Sequence, residues 1–216
     1  MHILEADSIR LELGYKSILA GIYLKCETAK ITGLLAGNGQ GKSCLMSVIY
    51  GIVNCEKSIR IDNVAYQYPY KKIGLISFLP QFSFVPKSFS LKKIFNDFEL
   101  DFAVFANRFS EFKSKYNSSI GSLSGGENRL VEIYIIVAKA SHFALLDEPF
   151  THLSPIQIEK VKELLFEAKE KMGLLITDHM YQHVMDLSED VYVLKNGYTY
   201  LARNIEEVSK LGYMHL

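Results

Sequence analysis

The chain has 216 residues, enough for one α/β core with at most a small nested subdomain. Hydrophobic residues make up 49% of it, which excludes a disordered chain, and 24 Lys plus Arg balance 24 Asp plus Glu, which argues against a dedicated nucleic-acid binder. The three cysteines, Cys26, Cys44 and Cys55, form no CxxC pair and no zinc-type spacing, the pattern expected of a reduced, cytosolic compartment.

Met1 to Leu13 carries Glu5, Asp7, Arg10 and Glu12 among its apolar residues and reads as neither a signal nor a transit peptide. No apolar stretch approaches a membrane span, so work at a membrane requires docking onto a partner. Across residues 8–27, Ile9, Leu11 and Leu13, then Ile22, Leu24 and Cys26, alternate with polar neighbours and predict β-structure. Residues 30–36, KITGLLA, read as a buried parallel strand. A Gly-rich turn at 37–41 follows, then a helix from Lys42 to Tyr50 that Gly51 stops. Strand patterns recur at Ile59 to Ile61 and at Ile73 to Leu79, before Pro80. Residues 82–122, rich in Phe, Lys, Ser and Asn, predict a helical insertion. Its Phe95, Phe98, Phe102, Phe105, Phe109 and Phe112 recur at intervals of three and four, the spacing of one helical face, and read first as the core seam of the insertion.

Ser124 with Glu127 three positions later predicts a capping box. Residues 143–146, FALL, read as another buried strand. Ser154, Pro155 and Gln157 open a helix as N-cap, N1 and N3, with an apolar stripe at Ile158, Val161, Leu165, Ala168 and Met172. Residues 173–177 are a further strand, and Asn196-Gly197 between two alternating runs predicts a type I′ hairpin. Alternating strands and helices predict an α/β fold: a P-loop core with a mainly parallel sheet, an N-terminal antiparallel β-subdomain and a nested helical subdomain. Residues 1–81 plus 140–216 are the expected catalytic core, and 82–139 the helical part.

Gly37-Asn38-Gly39-Gln40-Gly41-Lys42-Ser43 lies between a buried strand and a helix, the context of a P-loop. Its glycines let backbone N–H groups converge on a phosphate at a helix N-terminus. Lys42 is then placed for the β- and γ-phosphates and Ser43 for Mg²⁺. Ala36 stands where the strict GxxxxGK[ST] pattern has Gly, a change of little cost if that residue is extended. Asp147 and Glu148 end the 143–146 strand and put carboxylates at the edge where α/β sheets bind ligands. Asp147 is expected to hold Mg²⁺, and Glu148 to orient the attacking water.

Leu123-Ser124-Gly125-Gly126-Glu127 resembles the LSGGQ signature of the ATP-binding cassette family, and it lies between the P-loop and the carboxylates as it does there. Gln81 resembles the family's Q-loop glutamine, which senses Mg²⁺ and the γ-phosphate; His179 resembles its switch histidine; Tyr15 resembles the aromatic that stacks on adenine. The resemblance implies an ATPase that binds ATP at Tyr15, Gly37 to Cys44 and Asp147, with Ser43, Gln81 and Asp147 at Mg²⁺ and Glu148, Gln81 and His179 serving hydrolysis. It implies a second nucleotide-binding subunit, in a homodimer, whose Ser124, Gly125, Gly126 and Glu127 close the site. It also implies a separate transmembrane permease, no nucleic acid, and a place on the cytoplasmic face of the cell membrane. Part of the phenylalanine face, with Phe82 and Phe84, is the expected docking surface. The alternative is a soluble family member that serves cofactor assembly or translation. Two positions depart from the family: Ser154 replaces the usual D-loop Asp, keeping the cap and losing the acid, and Cys44 replaces a common Thr.

Overall fold

The computed structural model describes residues 1–211. Strands β1 (Ile3–Leu13) and β2 (Lys16–Glu27) pair antiparallel, from Ile3 opposite Glu27 to Leu13 opposite Lys16. Both start earlier or run longer than simple alternation predicts, because Ser8, with φ 53°, sits at a register shift that resets the alternation. Strand β3 (Ile31–Leu35) is buried at every residue and leads through the Gly-rich turn into α1 (Lys42–Tyr50), whose bounds are those predicted, with Gly51 as the left-handed C-cap. Strands β4 (Glu56–Ile61) and β5 (Val64–Ala65) extend the antiparallel part on the far side of β1. Strand β6 is shorter than predicted, Ile76–Leu79: Ile73 points into solvent, and Gly74 with φ 78° turns the chain before the strand begins.

The segment between β6 and β7 (Phe143–Asp147) holds α2 (Leu91–Asp97), α3 (Phe102–Arg108) and α4 (Gly125–Ala138), with 3-10 turns at 110–112 and 120–122. Helix begins only at Leu91, and the phenylalanine series does not lie on one helix. Glu99, with φ 55°, breaks the run, and the Asp101 carboxylate accepts from Ala103 N at 2.7 Å to start α3 afresh. Phe95, Phe105, Phe109 and Phe112 still meet as a core seam: the Phe105 ring lies 4.7 Å from that of Phe112 and 5.0 Å from those of Phe95 and Tyr134, centroid to centroid. Phe102 packs at its margin, and Phe98 is left partly exposed at the end of α2.

After β7 come α5 (Pro155–Lys169), β8 (Gly173–Thr177), α6 (Tyr181–Leu187), the hairpin β9 (Asp190–Lys195) and β10 (Tyr198–Ala202), and α7 (Ile205–Lys210). The predicted α5 stripe is buried in full. Asn196 and Gly197, with φ 52° and 83°, make the tight turn of the hairpin. Among the described residues the strands follow one order, β5-β4-β1-β2-β10-β9-β3-β8-β7-β6. From β9 to β6 the pairings are all parallel; those among β1, β2, β4 and β5 are antiparallel, and β10 pairs parallel with β2 and antiparallel with β9. One apolar cluster, with α4, α5 and the phenylalanine seam, covers one face of the sheet; the other, with α1, β1 and β2, covers the opposite face. No helix among the described residues is long and apolar enough to cross a membrane.

The N-terminus of α5 is closed by a full capping box. Gln157 N donates to Ser154 Oγ at 3.4 Å, and Ser154 N donates to Gln157 Oε1 at 3.0 Å. Ser154→Ala is therefore expected to cost about 1 kcal/mol in urea unfolding, whereas Ser154→Asp, which keeps the acceptor and adds favourable charge at the helix start, keeps the wild-type midpoint or raises it.

Candidate active site

The P-loop is shaped by its glycines. Gly39 and Gly41 have φ 72° and 99°, backbone that side chains rarely adopt. Ala36 lies outside the left-handed region, which is why it is tolerated in place of Gly. The loop and the start of α1 wall a cavity of about 420 Å³, lined by Asn38 to Cys44 together with Leu13, Ile18, Gln81, Glu148 and His179. Gln40 Oε1 accepts from Asn196 N at 3.2 Å, tying the loop to the β9–β10 turn. Lys42 is buried, and its ammonium donates to Ala36 O at 2.8 Å. Burial pulls Lys42 below the ordinary lysine range, while Glu148, Asp147 and Asp178 nearby push it back up.

Strand ends supply the acids. Asp147 closes β7 beneath the cavity, 1% exposed, and its Oδ1 has no hydrogen-bond partner. Burial raises its pKa, with Ser43 acting in the opposite sense. The Glu148 carboxylate is held from two sides: Gln81 Nε2 donates to Oε2 at 3.0 Å, and His179 Nε2 lies 2.6 Å from Oε1. Thr151 Oγ1 lies at the limit of bonding, 3.5 Å from Oε2. Gln81, Glu148 and His179, 31 or more residues apart in sequence, thus share one wall of the cavity.

The structure does not bring every expected residue to this cavity. Tyr15 is wholly exposed at the β1–β2 turn, and Leu13 and Ile18 line the cavity there instead. Gly37 and Asp147 lie behind the lining. Ser124 to Glu127 stand apart, and Gly125 lines a separate recess of about 250 Å³ with Gln81, Ser83, Asn128, Arg129 and His152. Ser124 and Glu127 form the predicted capping box, with Glu127 N to Ser124 Oγ at 3.2 Å and Ser124 N to Glu127 Oε2 at 2.9 Å; Lys115 pairs with the other Glu127 oxygen. Three residues at this edge went unnoticed in the sequence. Arg129 and Glu132 are buried on α4, and Asp178 accepts from Phe150 N at 2.9 Å and Met180 N at 3.0 Å, bracing the loop after Glu148 against the one carrying His179. The available signal was a pair of opposite charges three residues apart inside the apolar run of α4.

Residues 19–151 match the model of the ABC transporter family. This chain belongs to that family. It is an ABC ATPase, the ATP-binding and ATP-hydrolysing subunit that energises a transporter. The lipopolysaccharide export system ATP-binding protein LptB of Haemophilus influenzae is 28% identical over 223 residues, covering 91% of this chain and 88% of that one. The ribose import ATP-binding protein RbsA of Oceanobacillus iheyensis is 27% identical over 210 residues, covering 88% of this chain and 42% of that one. Among solved structures, a nucleotide-free ATP-binding cassette from an ABC transporter superposes with a TM-score of 0.81 at 21% identity, covering 98% and 95% of the two chains, and so shares the fold. The transporter relatives give no support to a role in translation or cofactor assembly.

The signature glycines of this ABC ATPase differ in how closely the chain passes them. A Cβ at Gly126 would lie 2.6 Å from His152 O, against backbone, whereas one at Gly125 would meet only the His152 side chain at 3.7 Å. Gly126→Ala is expected to lower stability by about 1–3 kcal/mol, and Gly125→Ala to leave it within about 0.5 kcal/mol, as read from denaturant midpoints.

Proposed function

We propose that two copies of this chain pack head to tail, with ATP held at Gly37 to Ser43 of one copy and closed over by Ser124, Gly125, Gly126 and Glu127 of the other. The observation that carries this reading is the separation of the two halves of the site. One chain gathers the P-loop, Gln81, Glu148 and His179 round a single cavity and leaves the signature outside it. Lys42, buried and lightly held by one carbonyl, turns to the β- and γ-phosphates. The exposed Tyr15 ring is free to stack on adenine.

Ser43 and Asp147, with Gln81, are the residues that would hold Mg²⁺. The unpartnered, buried Asp147 Oδ1 beside Ser43 fits a hard cation that takes oxygen ligands. Bound there, the ion supplies neutralisation of charge on the phosphate oxygens. Glu148, clamped between Gln81 and His179, orients the attacking water, and His179 reaches the γ-phosphate. The chemistry is positioning plus electrostatic stabilisation by groups already in place.

ATP closes the dimer and hydrolysis reopens it; a separate membrane permease turns that motion into transport. Four of the six phenylalanines in the Phe95–Phe112 series are buried, so the docking role falls to Phe98 of that series with Phe82 and Phe84, which are 40%, 80% and 39% exposed. The chain then sits on the cytoplasmic face of the cell membrane.

Glu148→Gln is expected to abolish turnover while allowing an ATP-dependent dimer by size-exclusion chromatography; wild-type turnover would remove Glu148 from hydrolysis. Lys42→Ala is expected to weaken ATP binding by about 1.5–3 kcal/mol, the worth of a charge-assisted contact, as measured by calorimetry. Unchanged affinity would overturn the P-loop assignment.

A further inference from the structure

Helix α4 carries Arg129 and Glu132 within its apolar run, and both are buried, at 5% and 1% exposure. Taking a guanidinium and a carboxylate out of water is costly, and their mutual contact, 3.5 Å from Nη1 to Oε2, does not recover that cost alone. Their remaining bonds run elsewhere. Arg129 Nη1 donates to Pro80 O at 2.8 Å; Nη2 donates to Asp147 O and, at 3.0 Å, to Glu148 O. Glu132 Oε1 accepts from Ser83 Oγ at 2.6 Å and from Phe84 N at 3.0 Å, and Ser83 Oγ accepts from Asn128 Nδ2 at 2.8 Å. The pair therefore ties the 80–84 loop, which carries Gln81, to the main chain of Asp147 and Glu148.

That main chain needs holding. Glu148 has φ 53°, a left-handed conformation that a non-glycine residue keeps only where its surroundings impose it. Its N–H is fixed by Thr177 O at 2.8 Å, and its carbonyl is fixed mainly by Arg129 Nη2 at 3.0 Å, with Thr151 N farther off at 3.4 Å. With the second anchor gone, the backbone relaxes toward ordinary φ and the carboxylate swings away from Gln81 and His179.

We propose that Arg129 and Glu132 are positioning residues for hydrolysis: by locking the 80–84 loop to the Asp147–Glu148 main chain, they fix the aim of Glu148. The inference rests on the role proposed above for Glu148. A load on the exposed Phe82 and Phe84, which flank Ser83, passes through Glu132 and Arg129 to that carboxylate. Lysine cannot replace Arg129, because a single ammonium does not span carbonyls on two separate loops as the planar fork does.

The test is steady-state ATPase kinetics on the full chain, normalised to folded protein by thermal melts, with ATP affinity from calorimetry. Arg129→Lys is expected to lower kcat roughly 10- to 100-fold, the cost of misaiming a reacting group by a fraction of an ångström to one ångström, and to leave ATP affinity within about twofold. Glu132→Gln and Ser83→Ala, which leave the guanidinium in place, are expected to lower kcat in the same sense and by less, and they carry the test if Arg129→Lys does not fold. Wild-type kcat per folded molecule, or a loss confined to ATP affinity, would each overturn the proposal. Wild-type turnover by Glu148→Gln alone would instead refute the role given to Glu148, and that variant leaves Arg129 and Glu132 intact.

Discussion

Four neighbouring strands, β3, β8, β7 and β6, run parallel, so their C-terminal ends come to one edge of the sheet. The P-loop leaves that edge from β3, Gln81 from β6, Glu148 from β7, and Asp178 and His179 from β8. The register sets the alignment: Leu146 lies opposite Ile176, and Asp147 opposite Thr177. Because successive side chains point to opposite faces, a slip of one residue would take the acids away from the loop. Parallel pairing is stable only with both faces covered, and here α1 covers one and α4, α5 and α6 the other. The apolar burial of β3, β7 and β8 is thus what places the charged residues.

Those charges are kept where water would otherwise disperse them. Lys42, Asp147, Glu148 and Asp178 are all buried at this edge, and burial pushes Asp147 and Asp178 toward their neutral form and Lys42 toward its own. For Lys42 the carboxylates act against that tendency, and for Asp178 the N–H groups of Phe150 and Met180 do so. Such groups need little reorganisation when charge develops on a phosphate, which is the advantage of a preorganised site over water.

The signature segment has a second demand on it. Ser124 and Glu127 satisfy the N-terminus of α4, Glu127 also pairs with Lys115, and Gly126 lets His152 O approach where no Cβ fits. Three of the four residues that resemble a surface offered to a partner therefore also hold together the chain that carries them. The two demands differ geometrically: Gly126 is crowded by His152 O, whereas a Cβ at Gly125 would make only ordinary contact with the His152 side chain.

By itself the sequence determined whatever is decided within a few residues: the bounds of α1, the capping boxes of α4 and α5, the Asn196-Gly197 turn, the buried runs of β3, β7 and β8, and the P-loop. Caps, tight turns and periodicity act at short range, so their signals survive without the fold. Only the tertiary structure decided where the phenylalanines meet, since three short elements, and not one helix, bring them to a common seam. It also decided that Tyr15 stands clear of the cavity and that β6 begins at Ile76. Arg129 was legible as a charge in an apolar helix but not as a clamp, because its partners lie 49 residues before it and 18 and 19 after it. The left-handed turn at Glu148 is likewise imposed from outside: nothing local to Leu146-Asp147-Glu148-Pro149 favours positive φ, and the carbonyl of Thr177 and the guanidinium of Arg129 hold it there.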